Sequence, residues 1–192
     1  MNPEAAPTPM TTTSIRIALL QAADAPAYKV LRDASLLRTP EAFSTDYATA
    51  VTRPPAVYSA LFSQPEHGMF YLGAFTDAGQ LVGSIGFSRE QPRFKRHIGH
   101  INAVMIDVNF EHRGIARQLL EACIAHAQEI EGLELLELGV TASSERAVRL
   151  YERAGFQPFG RMPRAVVIDG VGHDHLLMVL PLPRCPPLNV SD

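Results

Sequence analysis

Apolar positions along the chain follow two rhythms, alternation by twos and recurrence at three and four, and each switch between them marks a predicted element boundary. Residues 15–20 read as a first strand, after which Asp24 is placed to cap a helix carrying Tyr28, Leu31 and Leu36 on its inner face. Between residues 37 and 65, Pro40, Pro54 and Pro55 cut the sequence into short pieces, and TPEAFSTDY reads as a turn with a brief helix that flanks a pocket rather than fills a core. Residues 69–75 and 81–87 are apolar runs joined by Thr-Asp-Ala-Gly-Gln, a predicted β-hairpin. A polar link over residues 89–96 leads to a buried strand through Ile98 and Ile101 to Val104, Met105, Ile106 and Val108.

The polar loop 109–113 then opens a helix in which Ile115, Leu119, Cys123 and Ile130 recur at helical spacing, with Leu120, Ala122 and Ala127 beside them. Residues 135–140 read as the next strand. Ser144 is placed to cap a helix with Ala147, Leu150, Tyr151 and Ala154 on one face, and Gly155 ends it. Residues 165–168 and 175–180, joined by Asp169-Gly170-Val171-Gly172, form a closing hairpin.

Hairpins imply antiparallel neighbours, so the predicted fold class is α+β, a mixed and mostly antiparallel sheet with helices packed across it, rather than a doubly wound parallel sheet. One domain is expected over residues 15–181. Residues 1–14, rich in Pro and Thr without periodicity, are expected to be a disordered leader, and residues 182–192 a loosely held tail.

Composition changes this picture mainly by exclusion. A net charge of −3 gives no basic footprint for nucleic acid or an anionic membrane, and no apolar run suggests a span or a signal peptide. Neither Cys123 nor Cys185 belongs to a disulfide framework or a paired metal motif, so a reducing, cytoplasmic compartment is expected. His173, Asp174 and His175 form a compact group, yet no motif supplies further ligands, and no metal is expected.

The stretch 103–120, AVMIDVNFEHRGIARQLL, carries the chemistry. A helix start leaves backbone N–H groups unpaired and partly positive. With Gly114 and Ala116 letting the main chain approach closely, an anion such as a pyrophosphate fits there. His112, Arg113 and Arg117 add donors at the same spot. An ordinary strand-to-helix turn is the competing reading of this stretch alone.

The pairing of FEHRGIARQLL with the later TASSERAVRLYERAGF resembles the GNAT superfamily of acetyl-CoA-dependent N-acetyltransferases. Glu111, Gly114 and Ala116 stand at the positions of the family's first motif. Ser144, Ala147, Leu150, Tyr151, Gly155 and Phe156 stand at those of the second. TPEAFSTDY, RFKRHIGHI and FGRMPRAVVIDGVGHDHLLMVL look like one bacterial branch, so the resemblance covers roughly residues 15–180.

The resemblance implies that the central strand parts from the next in a V, with the pantetheine arm of acetyl-CoA along the edge of Val104, Met105 and Ile106. It places the pyrophosphate on the N–H groups of His112, Arg113, Gly114, Ile115, Ala116 and Arg117, with Ser144 nearby. Tyr151 becomes the general acid for the departing thiolate; its competing role is that of a buried aromatic anchored by a hydrogen bond. Some relatives that acetylate protein N-termini carry a Glu where this chain has Gly139, so the base is left open between Glu137, His100, Asn102 and water.

Two departures stand out. Glu111 puts a carboxylate beside the pyrophosphate site, which weakens binding unless it faces solvent or pairs with Arg113. Ser144 keeps only the capping function of the usual Asn. The expected activity is direct acetyl transfer to an amine, on a small molecule or a polypeptide N-terminus, with acetyl-CoA as co-substrate; the scaffold also allows a homodimer. The alternative is a non-catalytic acyl-CoA-binding module or sensor. A P-loop hydrolase is disfavoured because no Gly-Lys-Ser/Thr follows the loop.

Overall fold

The computed structural model describes residues 14–63 and 68–186. The predicted leader up to residue 13 and the tail from residue 187 lie outside the described residues.

Seven strands form one sheet in the order β1-β2-β3-β4-β5-β7-β6: β1 (Ile15–Leu19), β2 (Met69–Thr76), β3 (Leu81–Arg89), β4 (Ile98–Ile106), β5 (Leu135–Thr141), β6 (Gln157–Ile168) and β7 (Val171–Pro181). Every neighbouring pair is antiparallel except β4 with β5. Among the described residues, five α-helices flank it: α1 (Ala25–Arg38), α2 (Tyr47–Val51), α3 (Ala56–Phe62), α4 (Ile115–Gln128) and α5 (Glu145–Arg153). This is the α+β class that the hairpins predict.

Apolar side chains on both sides of the central strands call for cover on both sides. One cluster gathers Leu72, Ile85, Phe87 and Leu136 under Leu119, Cys123 and Tyr151 of α4 and α5. The other, around Leu20, Tyr28, Leu31, Tyr58 and Met105, lies under α1 and α3. The predicted inner residues of α1, Tyr28, Leu31 and Leu36, are all buried.

Three local expectations are corrected. Asp24 stands at the N-cap of α1, but its carboxylate bonds no helical N–H and instead accepts from the Gln21 N–H at 2.8 Å. The closing hairpin is longer than its alternating segments, because β6 begins at Gln157 and carries Pro158 and Pro163 within the strand. As the edge strand of the sheet it needs only one side of its backbone for pairing, and that tolerates proline. Its turn is the two residues Asp169 and Gly170, with φ of 48° and 81°, while Val171 and Gly172 already belong to β7. Finally, Leu182 is not loose: it is buried, and its N–H donates to the Glu134 carbonyl at 2.8 Å.

Gly155, at φ 97°, ends α5 as expected. Its N–H donates to the Glu152 carbonyl and that of Phe156 to the Tyr151 carbonyl, both at 3.0 Å.

Candidate active site

β4 and β5 are hydrogen-bonded neighbours only at Ile98↔Leu135, Gly99↔Leu136 and His100↔Glu137. Beyond those three pairs β5 stays with β7, pairing as far as Thr141↔His175, and β4 stays with β3, so the two strands part. The gap opens a cleft of about 1390 Å³ that runs from the start of α4 to a group of aromatic residues under α1 and α3.

A bulge shapes the β4 side of the gap. Ser84 pairs with Met105 and Gly86 with Asn102, so Ile85 faces both Ala103 and Val104, and Ala103 takes a left-handed φ of 49°. The Asp107 N–H donates to the Val82 carbonyl at 2.9 Å. Ladder bonds alternate along an antiparallel strand, so the polar main-chain groups of Met105 point at β3 while those of Val104 and Ile106 point at the gap. Val104 and Ile106 line the cleft; Met105, 2% exposed, is instead packed in the cluster under α1. Of the three residues predicted along the edge, two are there.

α4 begins at the cleft's wide end. Gly114 precedes it with a φ of 76°, and a Cβ added there would meet nothing within 4 Å. Gln118 is the first residue to bond back, to the Gly114 carbonyl at 3.1 Å, so the N–H groups of Ile115, Ala116 and Arg117 have no intrahelical partner. Gly114, Ile115, Ala116 and Arg117 all line the cleft. No acidic residue sits in the first turn of the helix. This cradle suits a phosphate both by charge and by the room it leaves.

The predicted donors divide. His112, also left-handed at φ 62°, lines the cleft, and its Nε2 lies 3.1 Å from Nη1 of Arg146. Arg117 lines the cleft with its Nε bonded to Glu121 at 2.7 Å. Arg113 turns away from it, lying over the Phe110 ring at 4.9 Å and donating to the Asn109 carbonyl at 3.2 Å. It therefore does not neutralise Glu111. Arg38 at the end of α1 does, at 2.6 Å, with Arg146 at 3.9 Å, and Arg38 also donates to the Ile106 carbonyl at 3.0 Å.

Arg38 and Arg146 were not among the expected residues. The signal for Arg146 was present, since Arg146, Arg149 and Arg153 recur at helical spacing opposite Ala147 and Tyr151, and all three line the cleft. Arg38 comes from far away in sequence and carried none. Ser144 lines the cleft at the N-cap of α5, but its hydroxyl makes no capping bond, contrary to expectation.

Tyr151 lines the cleft from α5, 7% exposed and edge-on to Phe156 at 5.9 Å between ring centres. Burial, with the neighbouring Cys123 thiol second, pushes its hydroxyl up to about 12, so it holds its proton throughout the neutral range. The anchoring hydrogen bond of its competing role is absent among the described residues.

The base candidates separate as well. His100 and Glu137 sit on the closed part of the β4–β5 pair, where His100 Nε2 lies 3.1 Å from Glu90 and Nδ1 4.0 Å from Glu137. Neither lines the cleft. Asn102 does, but its amide has no titratable proton in the working range.

His175 entered the sequence reading only as part of the compact His173-Asp174-His175 group. Its Nε2 lies 3.1 Å from the Glu41 carbonyl, which only accepts, so in the neutral ring Nε2 carries the proton and Nδ1 the lone pair. That Nδ1 stands 3.5 Å from where a Cβ on Gly139 would be. Thr141 Oγ1 donates to the same Glu41 carbonyl at 3.2 Å. Asp174 instead accepts from the Arg164 N–H at 2.8 Å and Arg161 at 2.9 Å, so the His-Asp-His group splits between the cleft and the edge of the sheet. No cluster of three or more His, Cys, Asp or Glu suited to a metal occurs among the described residues, and no described helix is long and apolar enough to cross a membrane.

Residues 32–156 match the sequence pattern of the acetyltransferase (GNAT) family. Over 85 residues, 44% of this chain and 27% of the other, the sequence is 39% identical to mycothiol acetyltransferase of Propionibacterium freudenreichii subsp. shermanii. Over 80 residues, 41% of this chain and 53% of the other, it is 36% identical to the [ribosomal protein bS18]-alanine N-acetyltransferase of Salmonella typhimurium. The matches thus span about a quarter to a half of these curated relatives. Among solved structures, an acetyltransferase of the GNAT family from Streptococcus pneumoniae superposes with a TM-score of 0.79 at 25% identity, over 88% of this chain and 100% of the other. yncA of Salmonella typhimurium, solved with its cofactor acetyl-CoA, gives 0.79 at 20% identity, over 93% and 100%, a likeness of fold.

Proposed function

The chain belongs to the acetyltransferase (GNAT) family, and on that footing we propose that it is an acetyl-CoA-dependent N-acetyltransferase acting by direct transfer to an amine in a ternary complex. The parting of β4 from β5 at the open start of α4 is the observation that carries this reading. The N–H groups of Ile115, Ala116 and Arg117 hold the pyrophosphate, and the main chain of Val104 runs beside the acyl arm by adding to it as a strand would.

Acetyl-CoA supplies the acetyl group as a thioester. The amine nitrogen bonds to the thioester carbon as the carbon–sulfur bond breaks, and three groups of this chain serve the transfer. A Val104 N–H aimed into the gap donates to the developing oxyanion. Tyr151 gives its proton to the departing thiolate. His175 Nδ1 takes the proton that the amine loses, with the Glu41 carbonyl holding the ring in the required tautomer. His175 therefore replaces His100 and Glu137 in this account, and a water is its only competitor. The expected compartment is the cytoplasm.

Thiol release from acetyl-CoA in the presence of a panel of amines tests the reading. Release that depends on the amine, with the acetyl group found on nitrogen by mass, is the expected result. Tight acetyl-CoA binding without release from any amine would make the protein a sensor.

A further inference from the structure

The cleft continues past the gap into an aromatic box that the acetyl-transfer machinery does not use. Tyr28, Tyr58 and Tyr71 form it, with ring centres 5.1 Å apart for Tyr28 and Tyr58 and 5.9 Å for Tyr28 and Tyr71. Arg32, one turn along α1 from Tyr28, reaches the same place and lies 5.6 Å from the centre of the Phe43 ring.

A guanidinium in such surroundings calls for a carboxylate, because a partly buried charge that loses water needs compensation. No carboxylate among the described residues pairs with Arg32, and its Nε is buried without a hydrogen-bond partner. The Tyr58 hydroxyl is buried and unpartnered in the same way. The Tyr28 and Tyr71 hydroxyls lie close enough to the guanidinium to feel its charge. Burial keeps both phenols protonated, so they too are donors.

Gly86 makes room for this end of the cleft: a Cβ there would come within 2.4 Å of Asn102 Oδ1 and 2.6 Å of the Tyr71 ring. Donors therefore converge between apolar ring faces, where the Tyr28 hydroxyl, hydrogen-bonded to Arg32, is a neutral acceptor that leaves the guanidinium charge uncompensated. Towards the gap the sign reverses, for Glu41 lines the cleft beside His175 and its carboxylate pairs with no cation among the described residues.

We propose that this box binds the carboxylate of the acceptor, so that the acceptor is a small amino-acid-type molecule carrying an amine and a carboxylate together. Arg32 grips the carboxylate through its planar fork, which matches two oxygens better than any single-point donor. The ring faces of Tyr28, Tyr58 and Tyr71 cover the carbon skeleton. The amine is left towards Glu41 and His175, where it is drawn as an ammonium and loses its proton. This assignment rests on the transferase reading for its direction, although the anion site can be measured by itself.

The test titrates the protein, saturated with CoA as thiol so that no transfer occurs, with apolar L-amino acids and with their amides, which keep side chain and amine but lack the charge. The free acids are expected to bind roughly ten- to a hundredfold more tightly, the range of a charge-assisted hydrogen bond. Arg32→Gln is expected to erase that preference while CoA affinity, the check on folding, stays as it was. Tyr58→Phe, which changes no shape, is expected to reduce it severalfold. Equal binding of acids and amides, no binding of any acid, a preference that survives Arg32→Gln, or a short peptide bound better than every free amino acid overturns the proposal. Acetyl-CoA in place of CoA then separates the two readings. Transfer to acids and amides alike removes the anion site and keeps the enzyme. Tight acid binding without transfer keeps the anion site and removes the enzyme.

Discussion

The two ends of the cleft are made of different material. Along the gap and at the start of α4 the polar groups offered to the cleft belong to the backbone: the main chain of Val104, and the N–H groups of Ile115, Ala116 and Arg117. Under α1 and α3 they are side chains, Arg32, Tyr28, Tyr58 and Tyr71, brought together from separate elements. A backbone site is specified by conformation and tolerates changes of side chain, provided glycine stays where the chain must turn left-handed. A side-chain site is specified by residue identity and is easily altered without disturbing the fold. On the proposed reading, one scaffold would thus keep a fixed donor of acetyl groups and remain free to vary the receiver.

The largest effect should come from breaking the backbone end. Gly114→Val forces a β-branched residue into φ 76° and fills the space over the helix start, so calorimetry should find no measurable acetyl-CoA binding. Gly79 sharpens the contrast, since it has φ 80° and open space too, but lies in the β2–β3 turn. Gly79→Val should cost a similar ~1–3 kcal/mol of strain in denaturant unfolding yet leave acetyl-CoA affinity unchanged. If both variants lost affinity equally, the cradle would be no more than a stability effect.

Next comes the junction of the two ends. Tyr151→Phe should lower kcat by on the order of a hundredfold with little change in acetyl-CoA affinity. Burial raises the phenol to about 12, and the neutral form is the acid, so this group should cause no alkaline fall in wild-type kcat below about that pH. A fall traced to Tyr151 in the range where free phenols ionise would contradict the placement of the ring.

His175→Gln should be milder, about a tenfold loss in kcat/KM for the acceptor, because water can take over part of the proton removal. The deficit should shrink as pH rises through the pKa of the amine itself, where the amine sheds its proton unaided. A uniform loss at every pH would point to a role in shape alone.

The smallest effect belongs to Glu111. Its pair with Arg38 leaves each side chain about a third exposed, so it is worth no more than about 1 kcal/mol. Glu111→Gln removes a negative charge near the pyrophosphate site and frees Arg38, and should tighten acetyl-CoA binding by roughly two- to fivefold, less so at high salt.

The same division governs what was readable in the sequence. The α4 tip was legible because its signals are local: a strand, a polar loop, Gly114 and then helical spacing. The parting of β4 from β5 was implied only through family resemblance, since no local pattern says where two strands stop pairing. Arg38, His175 and Arg32 reach the cleft from opposite ends of the chain, and their places depend on sheet order. Met105 was misplaced by a different cause: the bulge at Ala103 changes which way each later residue faces. β6 was foreshortened because only residues 165–168 were read as strand, whereas its first half carries Pro158 and Pro163, which an edge strand tolerates. Ser144 and Asp24 had the residue type of a cap but not the geometry.

That bulge also makes β4 a strand whose length is read modulo two. Asn102 and Ala103, adjacent in the chain, both lie on the α1 side, and Val104 and Ile106 then fall on the α4 side. Removing a single residue at this point would transpose every later position: Met105 would surface in the cleft, the Val104 amide would be spent on β3, and no compensating substitution could restore the order. Point changes along β4 are therefore negotiable, whereas a one-residue deletion there would rebuild this wall of the cleft while leaving the strand's composition almost untouched.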